Sequence, residues 1–332
     1  MKEIFLLLII FWNCENYFDT FNDPLTKDDD YTPQGAKLWS WKKFIKKRDD
    51  IAKTILLVKE EHGLYPALIG LCEIENSFVL QQLTEQTPLA RVGYKYIHYN
   101  SPDRRGIDVA LLYNPKIFNA IESQKITIKE FLTRDILYVK GVINNLDTLH
   151  CFVNHWPSKL GGEEKSQPKR MIVSSLLKHN TDSILKINPQ ANILLMGDFN
   201  DTPNSKSLKN YNNFVNMSKF LEKNNLIKGT HKYRQKWDII DQFLLSKQLF
   251  LAQYSAQHNF KNSNRITQNS YNPKWIFCKK NSIKTFTHKS LLLPDKIYLG
   301  FKLNKTLLGP RYLGGVSDHL PILLKVYANI IE

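Results

Sequence analysis

The chain has 332 residues, 42% of them hydrophobic and 23% charged, which excludes collagen-like, mucin-like and disordered classes. It is long enough for one large α/β domain or two smaller ones, and Gly and Pro at 14 each are too sparse for a many-bladed propeller. Lys plus Arg number 46 against 31 Asp plus Glu, a formal charge of +15 with a pI near 9.4, so polyanions such as nucleic acid or anionic lipid are attracted at long range. The plain alternative is a Lys- and Asn-rich composition that says nothing of a site. No 20 to 50-residue repeat is visible. Cys14, Cys72, Cys151 and Cys278 lack Cys-x-x-Cys spacing, and the first three sit in or beside apolar runs, so buried free thiols are expected.

In chain order, Phe5 to Trp12 is too short to span a bilayer but has the length of a signal-peptide core. No small-residue cleavage site follows, and cleavage nearby would remove Asn13 and Glu15. The stretch therefore reads as a retained first strand; a cytoplasmic location is favoured, and a secreted or periplasmic one stays open. Leu6 to Phe11 is apolar throughout, a strand buried on both faces, and it ends at Asn13. Thr32-Pro33 offers a helix cap and first-turn Pro, and Leu38, Trp41, Ile45, Ala52, Ile55 and Val58 trace a helical stripe. Ala67 to Leu71 is a second apolar strand that stops at Glu73. Strands are expected at Tyr94 to Tyr99, Ile107 to Tyr113, Lys125 to Lys129 and Ile136 to Ile143.

Leu149, Cys151 and Val153 share a strand face, and the next residue of that parity is His155. A helix over Met171 to Leu185 follows, then Ile193 to Met196, a strand terminating in Gly197-Asp198-Phe199-Asn200. Trp237 to Leu245 reads as one strand with a single anomaly, Asp241, on its apolar face. Residues 252–310 are polar and weakly periodic, and are expected to form a long insertion or lid within a single domain spanning 1–332. Ser317-Asp318-His319-Leu320-Pro321 leads into a closing strand, Ile322 to Tyr327.

Several apolar strands thus end in a titratable or metal-binding residue: Asn13, Glu73, His155, and the pair Asp198 and Asn200. In α/β sheets that edge is where sites form. Asp318 and His319 precede their strand, so they reach the same edge only if it runs antiparallel to the others, which implies a mixed sheet. Singly, each residue has a bland reading: a turn at Asp198 to Asn200, a solvated strand end at Glu73, a capped core histidine at His155. The convergence is what argues for a site. Asp241, costly on an apolar face unless paired, finds its cheapest partner in the imidazole of His319, an arrangement that positions a general acid or base; backbone or Arg is the alternative partner. Asn13, Glu73 and Asp318 are hard oxygen donors suited to Mg²⁺, and also to Mn²⁺ or Ca²⁺, rather than Zn²⁺.

These motifs resemble the endonuclease/exonuclease/phosphatase superfamily, the fold of DNase I, exonuclease III, sphingomyelinases and inositol polyphosphate 5-phosphatases. Asn13-Cys14-Glu15-Asn16-Tyr17-Phe18-Asp19, Leu71-Cys72-Glu73, Asn154-His155-Trp156-Pro157-Ser158, Gly197-Asp198-Phe199-Asn200, Ile240-Asp241-Gln242-Phe243 and Ser317-Asp318-His319-Leu320-Pro321 appear in the family's order. The resemblance implies a DNase I-like four-layer α/β sandwich, with two packed mixed sheets flanked by helices, and metal-dependent attack of water on a phosphate ester. It implies that Glu73 and Asp318 hold the metal with support from Asn13, that Asp241 orients His319, and that Asp198 and Asn200 orient water and phosphoryl oxygens. His155 and Arg105 would bind the scissile phosphate. Whether Asp198 or His319 takes the water's proton stays open. Cys72 stands where the family commonly has Gln. Arg105-Gly106-Ile107-Asp108 is a further subgroup hallmark, with Asp108 read as structural.

Three functions compete. A nuclease fits the positive charge. A phosphatase or phosphodiesterase on phospholipid or inositol phosphate, sphingomyelinase-like, would dock through an apolar loop such as Trp275-Ile276-Phe277. A binding protein without catalysis is disfavoured by the complete residue set. The expectation is a magnesium-dependent hydrolase acting on DNA or RNA; oligomeric state and cleavage polarity are left open.

Overall fold

The run from Phe5 to Trp12 lies in one long strand, β1 (Glu3–Tyr17). Its successive side chains alternate between two covered faces: Leu8, Ile10 and Trp12 enter one apolar layer, and Leu7, Ile9 and Phe11 the next. The computed structural model describes residues 3–145, 147–159, 161–221, 228–250, 276–277, 282–298 and 300–330.

Two mixed sheets are built from these residues. In the first, β1 pairs in parallel with β2 (Leu68–Ile74); β2 pairs antiparallel with β4 (Asp108–Tyr113), and β4 with β3 (Lys95–His98). On its other side β1 pairs antiparallel with β19 (Ile322–Ile330), from Glu3 opposite Ile330 to Phe11 opposite Ile322. The outer edge of β19 is shared by β13 (Ile276–Phe277) and β14 (Ile283–Thr285). The second sheet runs β5 (Phe118–Ile126), β6 (Ile136–Ile143), β7 (Asp147–His155), β8 (Asn192–Asp198), β12 (Asp241–Ser246) and β9 (Phe214–Asn216), with β7 and β8 parallel. Hairpins β10 (His231–Tyr233) with β11 (Lys236–Asp238), β15 (Leu292–Pro294) with β16 (Phe301–Leu303), and β17 (Leu307–Leu308) with β18 (Arg311–Tyr312) complete the pairing.

Three apolar layers separate four structural ones. Phe44, Ile51, Ile55 and Val58 of α1 (Trp41–His62), with Val79, Leu80 and Leu83 of α2 (Ser77–Glu85), cover the outside of the first sheet. Phe11, Cys72, Cys151, Met196 and Phe243 fill the space between the sheets. Val173 and Leu177 of α3 (Glu163–Ile187) cover the outside of the second. The expected four-layer α/β sandwich with mixed sheets is the fold. Among the described residues no helix is long and apolar enough to cross a membrane.

Several boundaries differ from the sequence reading. The first helix begins at Trp41 after the cap residue Ser40, not at Thr32-Pro33: Gly35 and Trp39 donate back to the Thr32 carbonyl, and Leu38 turns left-handed, so Thr32-Pro33 opens a folded turn. The helix after His155 starts at Glu163, well before Met171, and carries Pro168 inside it. The strand placed at Lys125 to Lys129 is the end of β5, which begins at Phe118. Trp237 to Leu245 is two strands, broken at Ile239 and Ile240, where the N–H groups of Ile240 and Asp241 both donate to Thr230 Oγ1 at 3.2 Å. Helix α2, capped by the Asn76 side chain accepting from Val79 N–H at 3.1 Å, is an addition. Cys14, Cys72 and Cys151 are buried and free; Cys278 and Trp275 lie outside the described residues, as does much of 252–310. Ile276 and Phe277 are strand residues paired to β19 rather than a loop.

Candidate active site

Parallel pairing puts the ends of β1 and β2 side by side, and likewise those of β7 and β8, where His155 lies opposite Asp198. Strand β12 starts back from the same edge with Asp241 opposite Asp198, and β19 starts back from it after Asp318 and His319. Both sheets therefore deliver polar residues to one mouth. Asn13 spans them, its Nδ2 donating to Asp198 Oδ2 at 3.1 Å and lying 3.5 Å from Glu73 Oε1.

The local backbone is built for this. β1 shifts register between Asn13 and Tyr17, and β2 between Cys72 and Ile74. Glu15, Asn16 and Glu73 sit there at φ of 49°, 55° and 60°, a conformation that costs non-glycine residues about 1–3 kcal/mol each and gathers at functional sites. What the bulges gain is directed N–H groups: Glu15 donates to Asn13 Oδ1 at 2.9 Å and Asn16 to Glu73 Oε2 at 2.8 Å. In the second sheet Gly197 is required by contact, since a Cβ there would lie 2.6 Å from both Cβ and the carbonyl oxygen of Asn154. Asn200 donates its N–H to Asp198 Oδ1 at 2.9 Å and its side-chain amide to the Trp156 carbonyl at 3.0 Å.

His319 is clamped on three sides. Its Nδ1–H donates to Asp241 Oδ2 at 2.8 Å, its backbone N–H to Ser317 Oγ at 3.0 Å, and its carbonyl accepts from Trp12 Nε1 at 3.0 Å. Ser317 in turn donates to the Asn13 carbonyl at 2.7 Å. The free Nε2 faces Asp198 Oδ2 at 3.8 Å and Asp318 Oδ1 at 3.9 Å. His155 Nε2 approaches the same Asp198 oxygen at 3.8 Å and Glu73 Oε1 at 3.9 Å.

The charges settle accordingly. Burial lifts Asp198 to about 7, against the pull of His319. Burial disfavours a charged His319, but Asp241, Asp198 and Asp318 together outweigh it and hold its pKa well above the ordinary value. His155 goes the other way: burial, then the Arg134 and Arg105 charges, keep it neutral far below the usual range. Two histidines of one mouth are thus opposite in charge preference.

Among the described residues, two groups bring ligand atoms of His and carboxylates within 4.8 Å of one another: Asp198, Asp241 and His319, and His231, Asp318 and His319. Glu73 belongs to neither. It and Asp318 nonetheless keep 14% and 33% of their side chains open to solvent, an oxygen donor pair without thiolates, which suits a hard cation that retains waters. Asn13 turns its amide N–H groups, not its oxygen, toward Glu73 and Asp198.

Arg105 is less embedded than the others: its side chain is 48% exposed, with Nε 3.5 Å from Asp103 Oδ1. Asp108 holds structure, accepting from Ser101 N–H at 2.9 Å and facing His98 Nε2 at 3.2 Å. Two neighbours were not evident in the sequence. Arg134 is buried and donates to the Trp156 carbonyl at 2.6 Å and to Asp103 at 3.1 Å, and His231 bridges to His319 with ring centres 4.8 Å apart. Arg134 stands just before β6 at the active edge, a position the strand-end pattern marks.

The chain belongs to the Endonuclease/Exonuclease/phosphatase family, whose sequence pattern matches residues 8–328; this is a superfamily of phosphoesterase hydrolases. Its fold is similar to that of truncated Caenorhabditis elegans TDP2 (14% identity, 97% of each chain, TM-score 0.55). It is similar also to D. rerio TDP2 complexed with a single-strand DNA product (15% identity, 97% of this chain and 98% of that one, TM-score 0.53). A third likeness is to a Bacteroides thetaiotaomicron mannosyl-6-phosphatase (13% identity, 98% of this chain and 100% of that one, TM-score 0.52). A search of curated proteins finds no match.

Proposed function

We propose that this chain is a divalent-cation-dependent phosphodiesterase that delivers water to a phosphate ester of nucleic acid. The observation that carries the reading is His319, fixed by Asp241 on one nitrogen and facing Asp198 across its other at 3.8 Å. Glu73 and Asp318, with Asn13 aligning the neighbouring carboxylates, would hold Mg²⁺ or Mn²⁺, which when bound supplies positive charge to the phosphoryl oxygens. Asp198, poised near neutrality, accepts the proton of the attacking water or shares it with His319, so the two work as one titrating unit. Asn200 and the neighbouring His155 orient the phosphoryl group, and Arg105 and Arg134 add positive potential where negative charge develops.

Nucleic acid is favoured by the net charge of +15 and by the fold shared with a protein seen with a single-strand DNA product. The second reading, a phosphatase on a phosphomonoester of a sugar, inositol or lipid, draws on the same fold in a mannosyl-6-phosphatase. A panel of plasmid DNA, single-stranded DNA, RNA, abasic duplex, sphingomyelin, inositol phosphates and mannose 6-phosphate, with Mg²⁺, Mn²⁺ or chelator, separates them. Turnover of a phosphomonoester with every nucleic acid untouched would reverse the choice of substrate.

A further inference from the structure

We infer that a cavity beside the catalytic cluster is a subsite for a second phosphate and its nucleoside, making the substrate a nucleotide strand rather than a small phosphomonoester. The inference rests on the phosphoesterase reading and names the substrate of that same site. The cavity holds about 370 Å³ and is lined by Arg105, Phe131, Leu132, Arg134, Lys165 and Lys169, together with small and hydroxyl residues; its size is within the usual range for ligand sites.

Its connection to the catalytic mouth is direct. Pro157 lines it and follows Trp156, whose carbonyl accepts from both Asn200 and Arg134. A ligand in the cavity therefore lies next to the position of the scissile phosphate.

Its chemistry is one-sided. Among the described residues no carboxylate lines it. Asp103 lies within ion-pair distance of both arginines. Lys165 and Lys169 have no ion-pair partner among the described residues, and Lys169 lies over the Phe131 ring at 5.4 Å. Two unmatched cations beside an aromatic face and the exposed Leu132 suit a phosphate carrying a base, through charge and stacking. A sugar monophosphate would leave the lysines unused, and its hydroxyls would meet no carboxylate to accept from them.

The wall is also rigid. Arg170, with none of its side chain exposed, bonds Asp201 at 3.1 Å, Ser166 Oγ at 2.9 Å and the Pro157 carbonyl at 3.4 Å, and pairs with Glu163. It locks the start of α3 to the loops after β7 and β8, so little ordering is left for binding.

The test is binding of a fluorescein-labelled oligothymidylate to the full chain in excess EDTA, by anisotropy across a salt series. Lys165→Ala/Lys169→Ala should weaken binding at least tenfold and flatten the log affinity against log salt slope by about 1.4, two contacts at ~0.7 each for a single strand. Phe131→Ala should weaken binding about tenfold without changing the slope. Lys178→Ala/Lys186→Ala, on the far part of the same helix, is the charge-matched control and should change neither. Wild-type protein that fails to bind at low salt overturns the subsite, as do pocket variants that match the control. Mannose 6-phosphate binding that depends on Lys165 and Lys169 as strongly would overturn the assignment to a strand. Hydrolysis of bis(p-nitrophenyl) phosphate, which has no second phosphate, tests the chemistry separately: its absence alongside intact, lysine-dependent oligonucleotide binding would cost the phosphoesterase reading and leave the subsite standing.

Discussion

Asp241 and Asp198 are cross-strand partners on β12 and β8, and His319 reaches between their side chains from the other sheet, 2.8 Å from one and 3.8 Å from the other. Two carboxylates on adjacent strands therefore treat one imidazole differently: Asp241 fixes its tautomer, and Asp198 faces the nitrogen left free.

Replacing His319 by Ala is expected to lower kcat by about 10²–10⁴ with an unchanged thermal melt, because general acid–base catalysis is worth that much. Asp241→Asn keeps the shape but changes which imidazole nitrogen carries the proton, and should be milder. Steady-state kinetics and melts on both variants check this; wild-type rates in both at saturating metal would remove the pairing from the mechanism.

The pH profile follows from the same trio. A water-activating Asp198 must be ionised, and burial places it at about 7, so kcat/KM should rise as pH passes through neutrality. His319, held above its ordinary value by its carboxylate neighbours, should stay protonated beyond that point and serve the leaving oxygen as acid, so its deprotonation adds a second, falling limb on the alkaline side. Asp241→Asn takes away the strongest charge holding His319 up, and should move the alkaline limb to lower pH. A flat profile from pH 5 to 9 contradicts this assignment.

Glu73→Gln should raise the Mg²⁺ concentration needed for half-maximal activity by about tenfold or more, since an anionic oxygen is exchanged for a neutral one at a hard cation. Metal titration of activity, with calorimetry of the metal alone, reads the effect. Full turnover in excess EDTA would end the metal-dependent account.

A fourth expectation concerns stability. Burial and the nearby Asp19 charge push Glu75 up to about 9 from an unfolded value near 4.5, while its carboxyl accepts from Asp19 N–H at 2.6 Å. The folded chain binds the extra proton, so its stability is full below 4.5 and is lost as pH rises through about 9. Glu75→Gln keeps an acceptor and removes the titration. Its melting temperature should match wild type at pH 4 and exceed it at pH 8 by a few degrees, a gain on the order of 1 kcal/mol. An equal shift at both pH values would mean the effect is not protonation.

The strand ends were legible because strands buried on both faces are apolar without interruption, and the first polar residue after such a run marks the sheet edge. That rule finds Asn13, Glu73 and Asp198; side-chain parity finds His155, and the position of Asp318 and His319 ahead of their strand places them on an antiparallel one. It failed where the signal was not periodic. Thr32-Pro33 has the composition of a helix start, but the N–H groups of Gly35 and Trp39 bond back to the Thr32 carbonyl and make it a turn, so the nearby glycine, not the cap pair, is the informative residue. Trp237 and Phe243 share parity yet pack in different layers, because the strand breaks at Ile239 and Ile240, where Thr230 Oγ1 takes the N–H groups of Ile240 and Asp241. Arg134 stands ahead of its strand rather than at the end of an apolar run, and its partners, Asp103 and Trp156, are brought to it only by folding.

The antiparallel seam between β1 and β19 joins the earliest strand to the last, Phe11 to Ile322. While the chain is being made, the edge of β1 that β19 will cover stays open until that strand emerges, and until then the Trp12 indole has no His319 carbonyl to donate to. Contacts so distant in sequence form late and slowly. A chain truncated before that strand thus holds a half-built mouth, because two of its parts, Trp12 and His319, stand 307 positions apart.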